Sequence, residues 1–273
     1  NPGYDSDNSK TIFSGQTGSR RQLIKLERIR QAAARIAPYI KRTPSVRDTI
    51  LSERFNANFY LKLEVLQNTG AFKVRGAFNK ILTLSEAEKR RGIIAVSGGN
   101  HAQAVAFAAS ALGHQSLILM PEFTPRNYIE KTRNYGARVE LFPTMADAFK
   151  RAEAYERDGY AYVHPFADEK VVAGQGTIGL EILEDVPQVT DVIVSIGGGG
   201  LAGGVAAAIK TLKPAAKIWG VETRGAESMA KALDAGEIVS LAEITSIART
   251  LGAPEVSPLT FDLAREYLAD VTV

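Results

Sequence analysis

Val192-Ile193-Val194-Ser195-Ile196 runs without a break into Gly197-Gly198-Gly199-Gly200-Leu201-Ala202-Gly203-Gly204. A short apolar, β-branched run that empties into glycines and then into small apolar residues reads as strand, tight loop and helix. Consecutive glycines are entropically expensive to order. The run therefore favours a loop whose backbone amides must approach a ligand closely, and at a helix start those amides suit a phosphate. Gly198, Gly200 and Gly203 also satisfy the dinucleotide fingerprint, with Glu222 ending the next strand about 20 residues later. Two features speak against a dinucleotide: the unit lies late in the chain, after several earlier strand-helix units, and other motifs would be left without a role. No Gly-Lys-Ser/Thr follows the glycines, which excludes a P-loop.

Outward from this unit the chain alternates. Leu23, Leu26, Ile29, Ala33, Ile36 and Ile40 recur at steps of three and four and predict a helix over 22–40, broken by Thr43-Pro44. Strands are predicted over 58–65, 93–96, 116–120, 138–142, 161–163, 190–196 and 217–221. Helices are predicted over 75–84, 101–112, 124–135, 145–158 and 201–212, with another capped by Asp168 and a stop at Gly136. This spacing predicts an α/β fold with parallel sheets covered on both faces, and Pro165 is a reasonable hinge.

With 273 residues and 45% apolar content, the chain is long enough for two folded domains. Cysteine is absent, so neither disulfides nor thiolate metal sites are available. A net charge of +3 is too slight to suggest a nucleic-acid partner. Residues 1–19 hold only Tyr4, Ile12 and Phe13 as strong anchors and are expected to form a flexible tail. No long apolar run or signal sequence is evident, so a cytoplasmic protein with no membrane partner is the default expectation.

Two further stretches carry chemistry. In Gln67-Asn68-Thr69-Gly70-Ala71-Phe72-Lys73-Val74-Arg75-Gly76-Ala77, small residues surround one long amine. A lysine near ~10.4 in water attacks a carbonyl only when burial or a neighbouring cation lowers its pKa. Phe72 and Val74 are candidates for the dry wall and Arg75 for the positive neighbour; Arg75 otherwise reads as an ion-pairing or packing residue. Ser97-Gly98-Gly99-Asn100-His101 is a second strand-to-helix loop, whose amides suit a carboxylate and whose Asn100 can donate to a phenolic oxygen. His114 and His164 read as structural or exposed, and no Ser/His/Asp or Cys/His set supports hydrolase chemistry. An imine-forming amine, a phosphate loop and a carboxylate loop together describe an amino acid condensed with pyridoxal phosphate.

On Thr69 to Ala77, Ser97 to Ala102, Ala173-Gly174-Gln175-Gly176-Thr177-Ile178, Gly197 to Gly200 and Gly220-Val221-Glu222, the sequence resembles the fold type II pyridoxal-phosphate enzymes, specifically the serine/threonine dehydratase (ammonia-lyase) group. The resemblance spans about residues 20 to 273. It implies two open, twisted, mainly parallel sheets in a tryptophan-synthase-beta-like fold. A large cofactor-binding domain would comprise 20–90 and 166–273, and a small substrate-binding domain 91–165. Lys73 is implied to carry the cofactor as a Schiff base, Phe72 to lie near the ring, Asn100 to bond its hydroxyl, and Gly197, Gly198, Gly199, Gly200 and Leu201 to hold its phosphate. Ser97, Gly98, Asn100 and His101 are implied to receive the substrate carboxylate, mainly through backbone.

The resemblance also implies a monovalent cation, most often potassium, at Glu222, Ala226, Ser228 and Leu251. Related racemases carry a second acid where this chain has Ser228, which argues against tight Mg²⁺ or Ca²⁺ binding. The implied reaction is β-elimination of water from L-threonine or L-serine by a homodimer, giving a 2-keto acid and ammonia. Alternatives are serine racemase, 3-hydroxyaspartate dehydratase or, more distantly, a dinucleotide-dependent oxidoreductase. Racemases place a serine at Gly98 to deliver a second-face proton, and glycine has none to give. Family members generally continue past the position of Val273, where a Ser or Cys beside the pyridine nitrogen is expected.

Overall fold

The computed structural model describes residues 23–248 and 250–273, so the expected N-terminal tail lies outside the described residues. The first helix, α1 (Leu26–Ile36), is shorter than its periodicity predicts, because Pro38 has no N–H with which to continue the ladder. A small antiparallel pair follows, β1 (Ser45–Arg47) against β2 (Tyr60–Lys62), with Ser45 opposite Lys62. Between them runs α2 (Thr49–Phe55), whose first turn is capped by the Asp48 carboxylate accepting from the Leu51 amide at 2.8 Å. Then come α3 (Lys73–Leu82) and α4 (Glu86–Arg91), the latter opened by a Ser85/Glu88 capping box.

Alternating units build a four-stranded parallel sheet: β3 (Ile93–Val96), α5 (Asn100–Ala111), β4 (Ser116–Pro121), α6 (Arg126–Asn134), β5 (Arg138–Phe142), α7 (Met145–Arg157) and β6 (Ala161–Tyr162). Its order is β5-β4-β3-β6, so the chain steps outward from β3 and then returns to its other side. Successive residues serve opposite layers. Ile93, Ala95, Ile118 and Met120 join α3 and α5 in one apolar cluster, while Ile94, Val96, Leu117 and Leu119 pack with Ala148 and Ala152 of α7. The first of these clusters also holds Ile36, Val74, Phe78 and Ile81, from the other side of the expected domain boundary.

A second parallel sheet, β7-β8-β9, comprises β7 (Asp191–Ser195), β8 (Lys217–Val221) and β9 (Asp270–Thr272), accompanied by α8 (Glu169–Asp185), α9 (Gly200–Leu212), α10 (Ser228–Ala235) and α11 (Pro258–Tyr267). Here the described elements pack on one face. Val192, Val194 and Ile218 pack against α9 and α11, whereas among the described residues the alternate positions Asp191, Ile193 and Lys217 face outward, Ile193 at 63% exposure. The strand alternates in its environment although its centre is apolar throughout, and periodicity cannot report a face that no described element covers.

The Ala173-Gly174-Gln175-Gly176-Thr177-Ile178 segment lies in α8 and lets that helix sit between α3 and α9. A Cβ at Gly174 would come within 2.7 Å of the Arg75 carbonyl and the Gly76 Cα, and one at Gly176 within 2.9 Å of the Gly204 carbonyl. Gly204 faces the Val172 carbonyl and the Gly176 backbone in return. Gln175 adds a side-chain bond, its Oε1 accepting from the Gly76 amide at 3.2 Å. Among the described residues no helix is long and apolar enough to cross a membrane. Because the α8/α9 crossing is backbone on backbone, Gly204→Ala is expected to cost about 1–3 kcal/mol and lower the thermal midpoint by several degrees; an unchanged midpoint in calorimetry would contradict this packing.

Candidate active site

Lys73 begins α3, directly after a turn in which Thr69 and Gly70 both adopt positive φ, 64° and 75°. A β-branched residue is rarely found there, so the turn is held by its surroundings. The turn directs the Lys73 amine to the carbonyl of Pro165, which accepts from Nζ at 2.9 Å, while the Phe72 ring centroid lies 5.2 Å from the same nitrogen. Lys73 keeps part of its side chain open to solvent, yet enough protein surrounds the amine that burial pulls its pKa from 10.5 to about 8.

Burial alone produces this shift, which corrects the expectation of a neighbouring cation. Arg75 is fully buried but turns away: it bonds Glu64 at 2.8 and 2.9 Å, Glu181 at 2.6 and 2.9 Å, and the Thr177 hydroxyl at 3.1 Å. Desolvating a guanidinium costs several kcal/mol, and two carboxylates are needed to offset it. Its expected ion-pairing role is what the structure shows. Val74 likewise packs into the core with Ile36 and Phe78.

Pro165 and Phe166 connect the amine to the glycine loop. A Cβ on Gly198 would strike the Phe166 ring, and one on Gly200 would lie 3.0 Å from the Phe166 Cα. Gly197 is closed in by the Leu251 carbonyl, and Gly199 has φ +86°. This loop feeds the N-terminus of α9, whose first-turn amides have no intrahelical acceptors and whose first turn carries no acid. The cradle therefore has the chemistry of an anion site.

The second loop leaves the carboxyl end of β3, beside β6, where the sheet order reverses, the place where open α/β sheets bind ligands. The Gly99 amide donates to the Ser97 hydroxyl at 3.1 Å, and Asn100 is exposed at the first position of α5. Thr250 reaches this loop from beyond α10, its Cβ 3.3 Å from where a Cβ on Gly99 would sit. The His101 ring is committed to structure: Nε2 donates to the Val163 carbonyl at 2.7 Å, and burial with Lys73 nearby drives its pKa to about 3. His164 is held the same way, its Nδ1 accepting from the Ala167 amide at 2.8 Å and its pKa lowered to about 4 by burial and Lys73.

Glu222 is also engaged, its two oxygens accepting from the Met229 and Ala230 amides at 3.0 and 2.8 Å, with burial raising its pKa. A carboxylate that caps α10 is poorly placed to bond a ribose, which weakens the dinucleotide alternative. Nearby, the buried Ser228 hydroxyl has no hydrogen-bond partner, and Ala226 lies against Gly252, next to Leu251. Among the described residues no group of three or more His, Cys, Asp or Glu is arranged to hold a metal. Thr124, Pro165, Phe166 and Thr250 line the site without having been singled out as site residues in the sequence. Nothing local marks them, because their roles come from strands and loops meeting in space.

A lysine amine of lowered pKa, an aromatic ring beside it and an anion cradle one short segment away, on parallel α/β sheets, fit an enzyme that uses a phosphorylated aldehyde as its cofactor. Comparison with known proteins agrees. The profile of the pyridoxal-phosphate dependent enzymes matches residues 36–273, and the chain belongs to that family. It is 43% identical over 251 residues to an L-threonine ammonia-lyase of Thermotoga maritima, covering 91% of this chain and 63% of that protein. It is 39% identical to a catabolic L-threonine dehydratase of Escherichia coli, over 92% of this chain and 77% of the relative. The structure of maize serine racemase superposes with a TM-score of 0.89 at 35% identity, over 92% of this chain and 77% of that one.

The Lys73 shift has a sign that can be measured. The folded pKa of about 8 lies below the unfolded value of ~10.4. Holding the ammonium therefore penalises the cofactor-free protein fully below pH 8, and the penalty fades as pH rises from about 8 to ~10.4. Cofactor-free Lys73→Met is expected to resist urea better than wild type at pH 7, with the gap closing by about pH 10.4; a gap independent of pH would contradict the shift.

Proposed function

We propose that the chain catalyses pyridoxal-phosphate-dependent elimination of water from L-threonine or L-serine, releasing a 2-keto acid and ammonia. The observation that carries the reading is the Lys73 amine, lowered to about 8 and held on the segment that also lies against the glycine loop. The ammonia-lyase and dehydratase names of the relatives point to the same chemistry. When bound, the cofactor supplies an electron sink for charge developing at the substrate Cα. Lys73 would be its point of attachment, Phe72 would lie beside it, and the amides of 197–201 would hold its phosphate. With its pKa lowered to about 8 by burial, the Lys73 amine would be suited to removing the Cα proton. The loop 97–101 would bind the substrate carboxylate through amides at the start of α5, and Asn100 would hold the cofactor's hydroxyl.

Racemisation is the second reading, favoured by the likeness to maize serine racemase. Gly98 weighs against it, since no side chain there offers a proton to the opposite face of the substrate. Residues 91–165 serve as the substrate-binding unit and the remainder of the described chain as the cofactor-binding unit. A monovalent cation at Glu222, Ala226, Ser228 and Leu251 is supported by the unsatisfied Ser228 hydroxyl, and it would brace the Leu251 carbonyl that packs on Gly197.

Lys73→Ala is expected to abolish the visible absorbance of the cofactor-loaded protein and to reduce ammonia release at least about 100-fold. Wild-type protein is expected to release ammonia from L-threonine or L-serine far faster than it forms D-serine from L-serine. Ammonia release preserved in Lys73→Ala, or equal rates of elimination and racemisation, would overturn the respective reading.

A further inference from the structure

Thr124 lies on the turn between β4 and α6 and is 6% exposed. Its amide is satisfied by the Pro121 carbonyl at 3.0 Å, but its hydroxyl is buried without a hydrogen-bond partner. A hydroxyl taken out of water and left unpaired is costly, and such atoms call for an explanation. Its position supplies one. The turns after β3 and β4 leave the carboxyl ends of neighbouring parallel strands, joined at their base by the Ser97 amide donating to the Leu119 carbonyl at 3.1 Å. They approach so closely that a Cβ on Gly98 would lie 2.6 Å from Thr124 Oγ1. The Thr124 hydroxyl thus fills the space that a side chain at 98 would take, beside the loop proposed to receive the substrate carboxylate.

We propose that Thr124 is a substrate-binding residue whose hydroxyl, packed beside Gly98, donates to the carboxylate of the amino-acid substrate. The assignment rests on the reading of 97–101 as the carboxylate loop. It makes Gly98 and Thr124 a matched pair: glycine leaves room for the threonine hydroxyl, and threonine adds a side-chain donor to the backbone amides of the loop. A hydrogen bond to a charged group contributes enough that its loss should weaken carboxylate recognition about 10-fold.

The test uses cofactor-loaded wild type, Thr124→Val, Thr124→Ala and Thr124→Ser, with L-alanine as a probe that has the carboxylate but no β-hydroxyl. L-alanine affinity by calorimetry is expected to fall about 10-fold in Thr124→Val and Thr124→Ala, with the cofactor absorbance unchanged, and to recover in Thr124→Ser. KM for L-threonine should rise in parallel while kcat changes little. Alaninamide, which lacks the anion, should bind wild type and Thr124→Val equally. Unchanged L-alanine affinity overturns the proposal, and so does a rise in KM for L-threonine alone, which would place the hydroxyl on the substrate's β-oxygen. Should Thr124→Val fail to fold, Thr124→Ala, which introduces no added bulk, against Thr124→Ser carries the same comparison. Failure of the cofactor reading would show separately, as absent absorbance in wild type.

Discussion

The architecture depends on α8 lying between α3 and α9 with backbone where side chains would ordinarily stand. Gly174 meets the Arg75 and Gly76 backbone on one side, and Gly176 meets Gly204 on the other. The two elements proposed to carry the chemistry, Lys73 at the start of α3 and the glycine loop at the start of α9, are both positioned by this sandwich. Helices at such close range cannot slide without collision, so the distance between the amine and the anion cradle is set by packing rather than by loops. The buried Arg75, bridging Glu64 before α3 to Glu181 in α8, fixes the register of the same contact.

That rigidity lets the site hold groups in costly states. An amine lowered by burial, a threonine at positive φ shortly before it, and the unsatisfied Thr69 and Thr124 hydroxyls belong to the turns and helix starts around the candidate site. Each is unfavourable in isolation and persists only because the surrounding core over-determines it. The concentration of these features where the two loops and the 164–166 segment meet is what distinguishes a binding site from an ordinary crevice.

Much of this was legible in the sequence because the chemistry resides in short local motifs. Lys73 among small residues, the glycine run after Ile196 and the Ser97-Gly98-Gly99-Asn100 loop each announce a strand-to-helix or loop-to-helix junction, and the strand runs convey the parallel architecture. What was missed depended on other physics. The short helices α2 and α4 carry cap signals at Asp48 and at Ser85 with Glu88, but too few residues to show an apolar stripe. The face of β7 that no described element covers is invisible to hydropathy, since Ile193 is as apolar as its buried neighbours. Arg75 looked like a neighbour of Lys73 because the two are close in sequence, yet helical geometry turns them to different partners. Thr124 could not be read at all, because its meaning arises only when the turn after β4 closes on Gly98.

The account stands on Lys73 as the residue that holds the cofactor. Reduction of the pyridoxal-phosphate-loaded protein with borohydride, followed by proteolysis and mass spectrometry, tests this directly. The expected result is a single phosphopyridoxyl adduct on the peptide containing Lys73; an adduct confined to other lysines, or none, would contradict it.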